Sequence, residues 1–128
     1  MHAIEIDVSL PIAEAEVVTR EALQSEGFGV LTEIDVAATL KEKIGVERRP
    51  MKILGACNPG LSHRALEIEP SAALLLPCNV VLEEDPPGRT KVSIVDPREL
   101  MGSDELAEIA TDATGRLTAA AARIGASG

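Results

Sequence analysis

Aromatic side chains are almost absent from this chain. Of its 128 residues none is Trp or Tyr and one is Phe, so the ring platforms that stack on single-stranded nucleic acid are missing. Cations are few as well. Twelve Lys and Arg stand against 21 Asp and Glu, a net charge of −9, and a surface of that sign repels a phosphate backbone. Nucleic acid is therefore not an expected partner. Two cysteines, Cys57 and Cys78, are too few for a disulfide scaffold and too few for a self-sufficient zinc site. No apolar run approaches the roughly 18 residues of a membrane span, so no membrane partner is expected. The opening MHAIEIDVSL lacks a basic segment followed by an apolar one, which argues against a signal peptide and makes the cytoplasm the expected location. A P-loop, a serine-nucleophile triad and an H-E-x-x-H helix are all missing.

What is present is an ordinary globular composition, 45% hydrophobic and 26% charged, in a length that fits one domain spanning residues 1–128. Residues 3–8 alternate apolar and acidic, as a strand with one wet face does. Ser9 and Pro11 open a helix whose apolar stripe is Ile12, Ala15, Val18, Ala22 and Leu23. Gly27 ends it, and Phe28 falls where a Schellman cap presses it onto Leu23. Gly29 reads as a close packing point. A second strand over 28–34 follows, then a short helix capped by Asp35, with Val36 or Ala37, Leu40 and Ile44 inward and Gly45 closing it. Lys41, Lys43, Arg48, Arg49 and Lys52 form a basic patch. It is either a solvated face paired with Glu42 and Glu47 or a small-anion site carried by Arg48 and Arg49.

The centre of the chain is the stretch 51–83. Residues 51–56 read as a third strand that delivers Cys57 to the start of a helix over 59–68, with Asn58 as N-cap and Pro59 in the first turn. Pro70 ends that helix. The run AALLLPCNVVLE, 72–83, reads as a fourth strand, at an edge or bulged because Pro77 cannot donate to a ladder. Alternation places Leu75 and Val81 on the face that helices leave open, and this predicts a homodimer with that strand near the interface. A fifth strand over 90–96 completes a hairpin, Asp96-Pro97 opens one helical turn, and Ser103 caps a last long helix. That helix carries Leu106, Ile109, Ala113, Leu117, Ala120 and Ile124 inward, and Gly115 in its interior reads as a close approach to the sheet. The order of elements gives an α+β domain: two layers, a largely antiparallel five-stranded sheet and two long helices on one face.

Chemistry, if there is any, belongs to the central stretch. At a helix N-terminus a thiolate at Cys57 is favoured over the thiol, while burial works the other way. His63 falls nearly opposite the apolar stripe of its own helix. Cys57, His63 and Cys78 together offer only three metal ligands, and an antiparallel return puts Cys78 several residues beyond Cys57; no metal is expected. No cofactor can be named.

The runs at 27–46, 54–67 (LGACNPGLSHRALE) and 74–82 (LLLPCNVVL), with the Asp-Pro at 96–97, resemble the bacterial and archaeal family catalogued as domain of unknown function 302. The resemblance covers almost the whole chain. It implies a small α+β domain similar to the TATA-binding-protein-like fold, commonly a homodimer, and no established activity. The motif residues it carries over are Cys57, Asn58, Pro59, His63, Pro77, Cys78 and Asn79, without assigned roles. Two functions fit these residues. One is a homodimeric domain that binds a small ligand or a partner near the Cys57/His63/Cys78 segment, with Cys57, Asn58, Pro59, His63, Cys78 and Asn79 in contact. The alternative is a thiol-dependent enzyme or redox sensor using Cys57, with Cys78 as resolving thiol; whether the chain is an enzyme stays open.

Overall fold

A computed structural model describes residues 2–128. Five strands, β1 (Ala3–Val8), β2 (Gly29–Asp35), β3 (Met51–Cys57), β4 (Cys78–Glu84) and β5 (Thr90–Val95), form one sheet in the order β1-β5-β4-β3-β2. Every neighbouring pair is antiparallel. The helices are α1 (Ile12–Ser25), α2 (Val36–Ile44), α3 (Pro59–Ile68), α4 (Pro97–Leu100) and α5 (Asp104–Ala126). The two long ones, α1 and α5, pack against each other and lie on the sheet.

Alternation builds the core. Leu54 and Ala56 on β3, Val80 and Leu82 on β4, and Val92 and Ile94 on β5 are all fully buried beneath the helices. They meet Ala15 and Leu23 of α1 and the stripe Leu106, Ile109, Ala113, Leu117, Ala120 and Ile124 of α5, every residue of which is buried. With Phe28 as its one aromatic, this core is made mostly of branched aliphatics and alanines. The small residues let the long helices sit close to each other and to the sheet.

Caps fix the ends. Gly27 takes a φ of 84°, and the amides of Gly27 and Phe28 donate to the carbonyls of Gln24 and Leu23 at 3.0 and 2.9 Å, a Schellman arrangement that seals Phe28 onto Leu23. Asp35 accepts from the Ala38 amide, Asn58 from Leu61, Asp96 from Arg98 and Ser103 from Leu106. Ser9 does not cap α1. The Ile12 amide donates instead to the Glu84 carboxylate, 2.8 Å away on β4, which ties the first helix to the middle of the sheet. Glu84 also accepts from the Gly88 amide at 2.8 Å. These two bonds, Gly88 first, hold its carboxyl below the usual carboxylate range.

Four further readings of the sequence need correction. Residues 70–75 form a 3-10 helix rather than the start of β4. That strand begins at Cys78, lies between β3 and β5, and is neither an edge nor bulged at Pro77, which precedes it. An apolar run of this length cannot by itself separate strand from helix. Second, α2 turns Val36, Ala37 and Leu40 inward only far enough to be half-buried, and Ile44 is 67% exposed instead of inward. The remaining two concern glycines: a Cβ at Gly29 or at Gly115 would meet nothing within 4 Å, so neither is a close packing point.

Candidate functional site

The site is built where β3 ends and β4 begins. Because β4 starts at Cys78, the register pairs Cys78 with Ala56 and Asn79 with Gly55. Cys78 therefore lies one residue from Cys57 across the sheet, not several residues beyond it as the longer strand required. Cys78 continues the inward row of Val80 and Leu82 and is buried. Burial pushes its thiol up to about 11, and the neighbouring Cys57 adds to the rise.

Cys57 is partly exposed. Its Sγ lies 3.1 Å from the Ser62 hydroxyl, which sits in the first turn of α3. Asn58 folds back over the same turn, accepting from the Leu61 amide at 3.1 Å. Its side-chain nitrogen also lies against Gly27, where an added Cβ would come within 2.9 Å. One asparagine thus caps α3 and clamps the end of α1, and Pro59 supplies the first-turn ring that needs no amide partner. Ser62 had a signal in the sequence, five residues after Cys57 on the same helix start, that motif reasoning passed over.

Gly55 is the second missed residue. A Cβ there would lie 2.1 Å from the Thr32 hydroxyl and 2.7 Å from Pro77 Cγ. The Thr32 and Pro77 side chains therefore cross over the Gly55 backbone, next to the Gly55–Asn79 pair. Beside them opens a cleft of about 230 Å³ walled by Leu74, Leu75, Leu76, Pro77, Val95 and Leu100, with Asn79 among the lining residues. Leu100 and Val95 come from the other side of the sheet order, and nothing in the local sequence announces them.

His63 is not part of this group. It stands 74% exposed on α3, with Nδ1 4.0 Å from Glu67, one helical turn on. Among the described residues no three His, Cys, Asp or Glu side chains converge as metal ligands do. Arg48 and Arg49 lie elsewhere. Both guanidiniums bond the same Glu83 carboxylate on β4, and Arg49 Nε also stands 3.8 Å from Asp85. Lys41 pairs with Glu47 at 3.3 Å, and Lys52 with Glu16 and Glu33 at 2.9 and 2.6 Å. The basic patch is thus held largely by the protein's own carboxylates.

The strongest buried charge lies away from both. Asp96, with its side chain 3% exposed, accepts from the Arg98 backbone, from the Arg98 guanidinium through two nitrogens and from the Thr114 hydroxyl. The Arg98 bonds, with Thr114, hold its carboxyl down at about 2. This is a corner brace joining β5, α4 and α5.

The family model for the domain of unknown function DUF302 matches residues 4–124. The chain belongs to the DUF302 family. A crystal structure of an uncharacterized conserved DUF302 protein from Bacillus stearothermophilus superposes with a TM-score of 0.87 at 35% identity, over 96% of this chain and 98% of that one. No curated protein matches the chain. In this DUF302 chain no helix of the described residues is long and apolar enough to cross a membrane. Membership fixes the α+β architecture and leaves the chemistry of the β3–β4 segment to be argued from its own geometry.

Proposed function

We propose that this protein is a homodimeric binding protein for a small, largely apolar ligand, held on the β3–β4 segment. The observation that carries the reading is the cleft beside Asn79: six apolar lining residues and one amide, in about 230 Å³. Apolar walls with a few placed polar groups are what orient small ligands. A volume of this size suits a molecule of roughly ten heavy atoms carrying one hydroxyl or amide for Asn79 to read. Self-association is supported by the open face of the sheet, where Ile34, Ile53 and Val81 stand in register across three strands, with Ile34 half exposed. Leu75, the other residue first placed on that face, belongs instead to the 3-10 helix. The two unpaired cysteines fit a reducing cytoplasm.

The test uses hexanamide and 1-hexanol as probes, with amide NMR spectra of the full chain. Binding shifts the Asn79 side-chain resonances and those of Val95 and Leu100, and Asn79→Ala removes the preference for hexanamide. Spectra unchanged by both probes at millimolar concentration exclude the cleft as a ligand site. Light scattering at micromolar protein supplies the dimer arm; a monomer there refutes self-association.

A second reading, a thiol-dependent enzyme or redox sensor, is favoured by one observation. Cys57 is partly exposed at a helix start with a hydroxyl against its sulfur, while its neighbour Cys78 is sealed. Rapid labelling of Cys57 supports it.

A further inference from the structure

The geometry points to a second ligand site, separate from the cleft beside Asn79. A small amphipathic carboxylate binds there beneath α2, its carboxylate on Arg48 and its chain between α2 and β3. The space exists because α2 does not close onto the sheet. Its inward residues Val36, Ala37 and Leu40 are only half-buried, and so are Ile12 at the start of α1 and Met51 at the start of β3. A cleft of about 280 Å³ opens here, and its apolar lining is Ile12, Ala37, Ala38, Pro50 and Met51. That volume takes about ten to twelve non-hydrogen atoms, the size of a carboxylate with a chain of about seven to nine carbons.

Charge selects an acid over an alcohol. Three cations, Lys41, Arg48 and Lys52, share the lining with two acids, Asp35 and Glu47, a positive balance on a chain that carries −9 overall. Most of these charges are committed. Asp35 accepts from the Ala38 amide, Lys52 is held by Glu16 and Glu33, and Lys41 pairs with Glu47. Arg48 differs. It is half-buried, its Nε donates to the Arg49 carbonyl at 3.2 Å and its Nη2 donates to Glu83, while its Nη1 donates to nothing among the described residues. Glu83 is itself shared, because Arg49 Nε donates to the same oxygen at 2.7 Å. Arg49 has a further acid in Asp85, 3.8 Å away, and Arg48 has no second one among the described residues. A guanidinium with open donors and a divided counter-ion suits one more anion. An anion held between the two arginines must displace Glu83, whereas one taken by Arg48 Nη1 leaves that bond in place. The apolar lining favours a carboxylate with a chain over a bare phosphate, since each buried CH₂ strengthens binding about three- to fourfold.

Amide NMR titration of the full chain with sodium octanoate, 1-octanol and inorganic phosphate, with circular dichroism to check folding, tests the site. Octanoate shifts the amides of Ala37, Ala38 and Met51 to saturation, and it binds about tenfold or more tighter than either 1-octanol or phosphate. Arg48→Ala removes the advantage over 1-octanol. Ala38→Phe changes an exposed residue of the cleft wall, blocks the chain and weakens octanoate by a similar factor. It decides the case should Arg48→Ala disturb the fold. No shift at millimolar octanoate, or undiminished binding to Ala38→Phe, overturns the site. Octanoate that binds no better than 1-octanol, or binds a folded Arg48→Ala protein undiminished, overturns the role of Arg48. Phosphate as tight as octanoate overturns the amphipathic class. Shifts confined to Val95 and Leu100 put octanoate beside Asn79 and overturn the second site alone.

Discussion

Replacing Gly55 with alanine tests whether the β3–β4 segment is packed as described. The new Cβ would lie 2.1 Å from Thr32 Oγ1 and 2.7 Å from Pro77 Cγ, both well inside van der Waals contact. Thr32 is on an edge strand and exposed, so its hydroxyl can rotate away. The Pro77 ring cannot swing in the same way, because its atoms are tied to the backbone just before β4. Relief must come from a shift of β3 against β4, in the middle of the sheet. Overpacking of this kind costs about 1–3 kcal/mol, offset by about 0.4–1 kcal/mol gained from a stiffer unfolded chain. A net loss of about 1–2 kcal/mol is expected, equivalent to a fall in melting temperature of roughly 3–10 °C for a domain of this size. Urea denaturation followed by circular dichroism gives the free energy directly. Adding Thr32→Ala should recover part of the loss and leave the Pro77 share, so the pair is non-additive. An unchanged or raised midpoint in Gly55→Ala would refute the argument, because the strand would then have room that the geometry denies.

Asp96 makes a pH prediction. Its carboxyl titrates lower in the folded protein, at about 2, than its ordinary value of 3.8. Its contribution is therefore fully present above about pH 4 and lost as the pH falls towards 2. With Arg98 58% exposed, solvent screening reduces that contribution to about 1–2 kcal/mol. Asp96→Asn should flatten the stability profile across that acid window, and a mutant as acid-sensitive as wild type would show that other groups control it. Iodoacetamide at neutral pH should label Cys57 before Cys78, since Cys78 is buried with its thiol held near 11. If Cys78 reacts first, or neither reacts until the protein unfolds, the thiol reading fails. An anion at Arg48 and Arg49 must displace Glu83. Glu83→Gln should accordingly enlarge the thermal shift given by phosphate, and Arg48→Ala with Arg49→Ala should abolish it; equal shifts in all three proteins rule the site out.

Local signals carried most of the architecture. The period of α5, the caps at Asp35, Asn58, Asp96 and Ser103 and the Schellman glycine at Gly27 each act within a few residues, and each is found where the sequence places it. Failures came where distant residues decide. The start of α1 is held by Glu84, 72 positions away, which no local pattern can report. The apolar stretch 72–77 satisfied both strand and helix patterns, and its misassignment displaced Cys78 from its place opposite Ala56. The same error hid the cleft, since a strand through Leu74–Leu76 would leave no wall for it. Glycines were the least legible. Gly55 carries no signal in the sequence and is crowded on two sides, whereas Gly29 and Gly115 read as packed and are free. A glycine's neighbours belong to other elements, and only the assembled sheet specifies them.

The strand order has a consequence for how the sheet comes together. β4 and β5 are joined by a short turn, and β3 reaches β4 through α3. β1, by contrast, pairs with β5 across about 90 residues, Ala3 opposite Val95 and Val8 opposite Thr90. The loop-closure entropy of that contact is the largest of any pair in the sheet, and it is met only after β5 exists to receive the strand. The N-terminal strand is therefore the last plank laid and the first to lift. In native-state hydrogen exchange its amides should open well below the global unfolding energy, while those of β3 and β4 open only with the whole molecule.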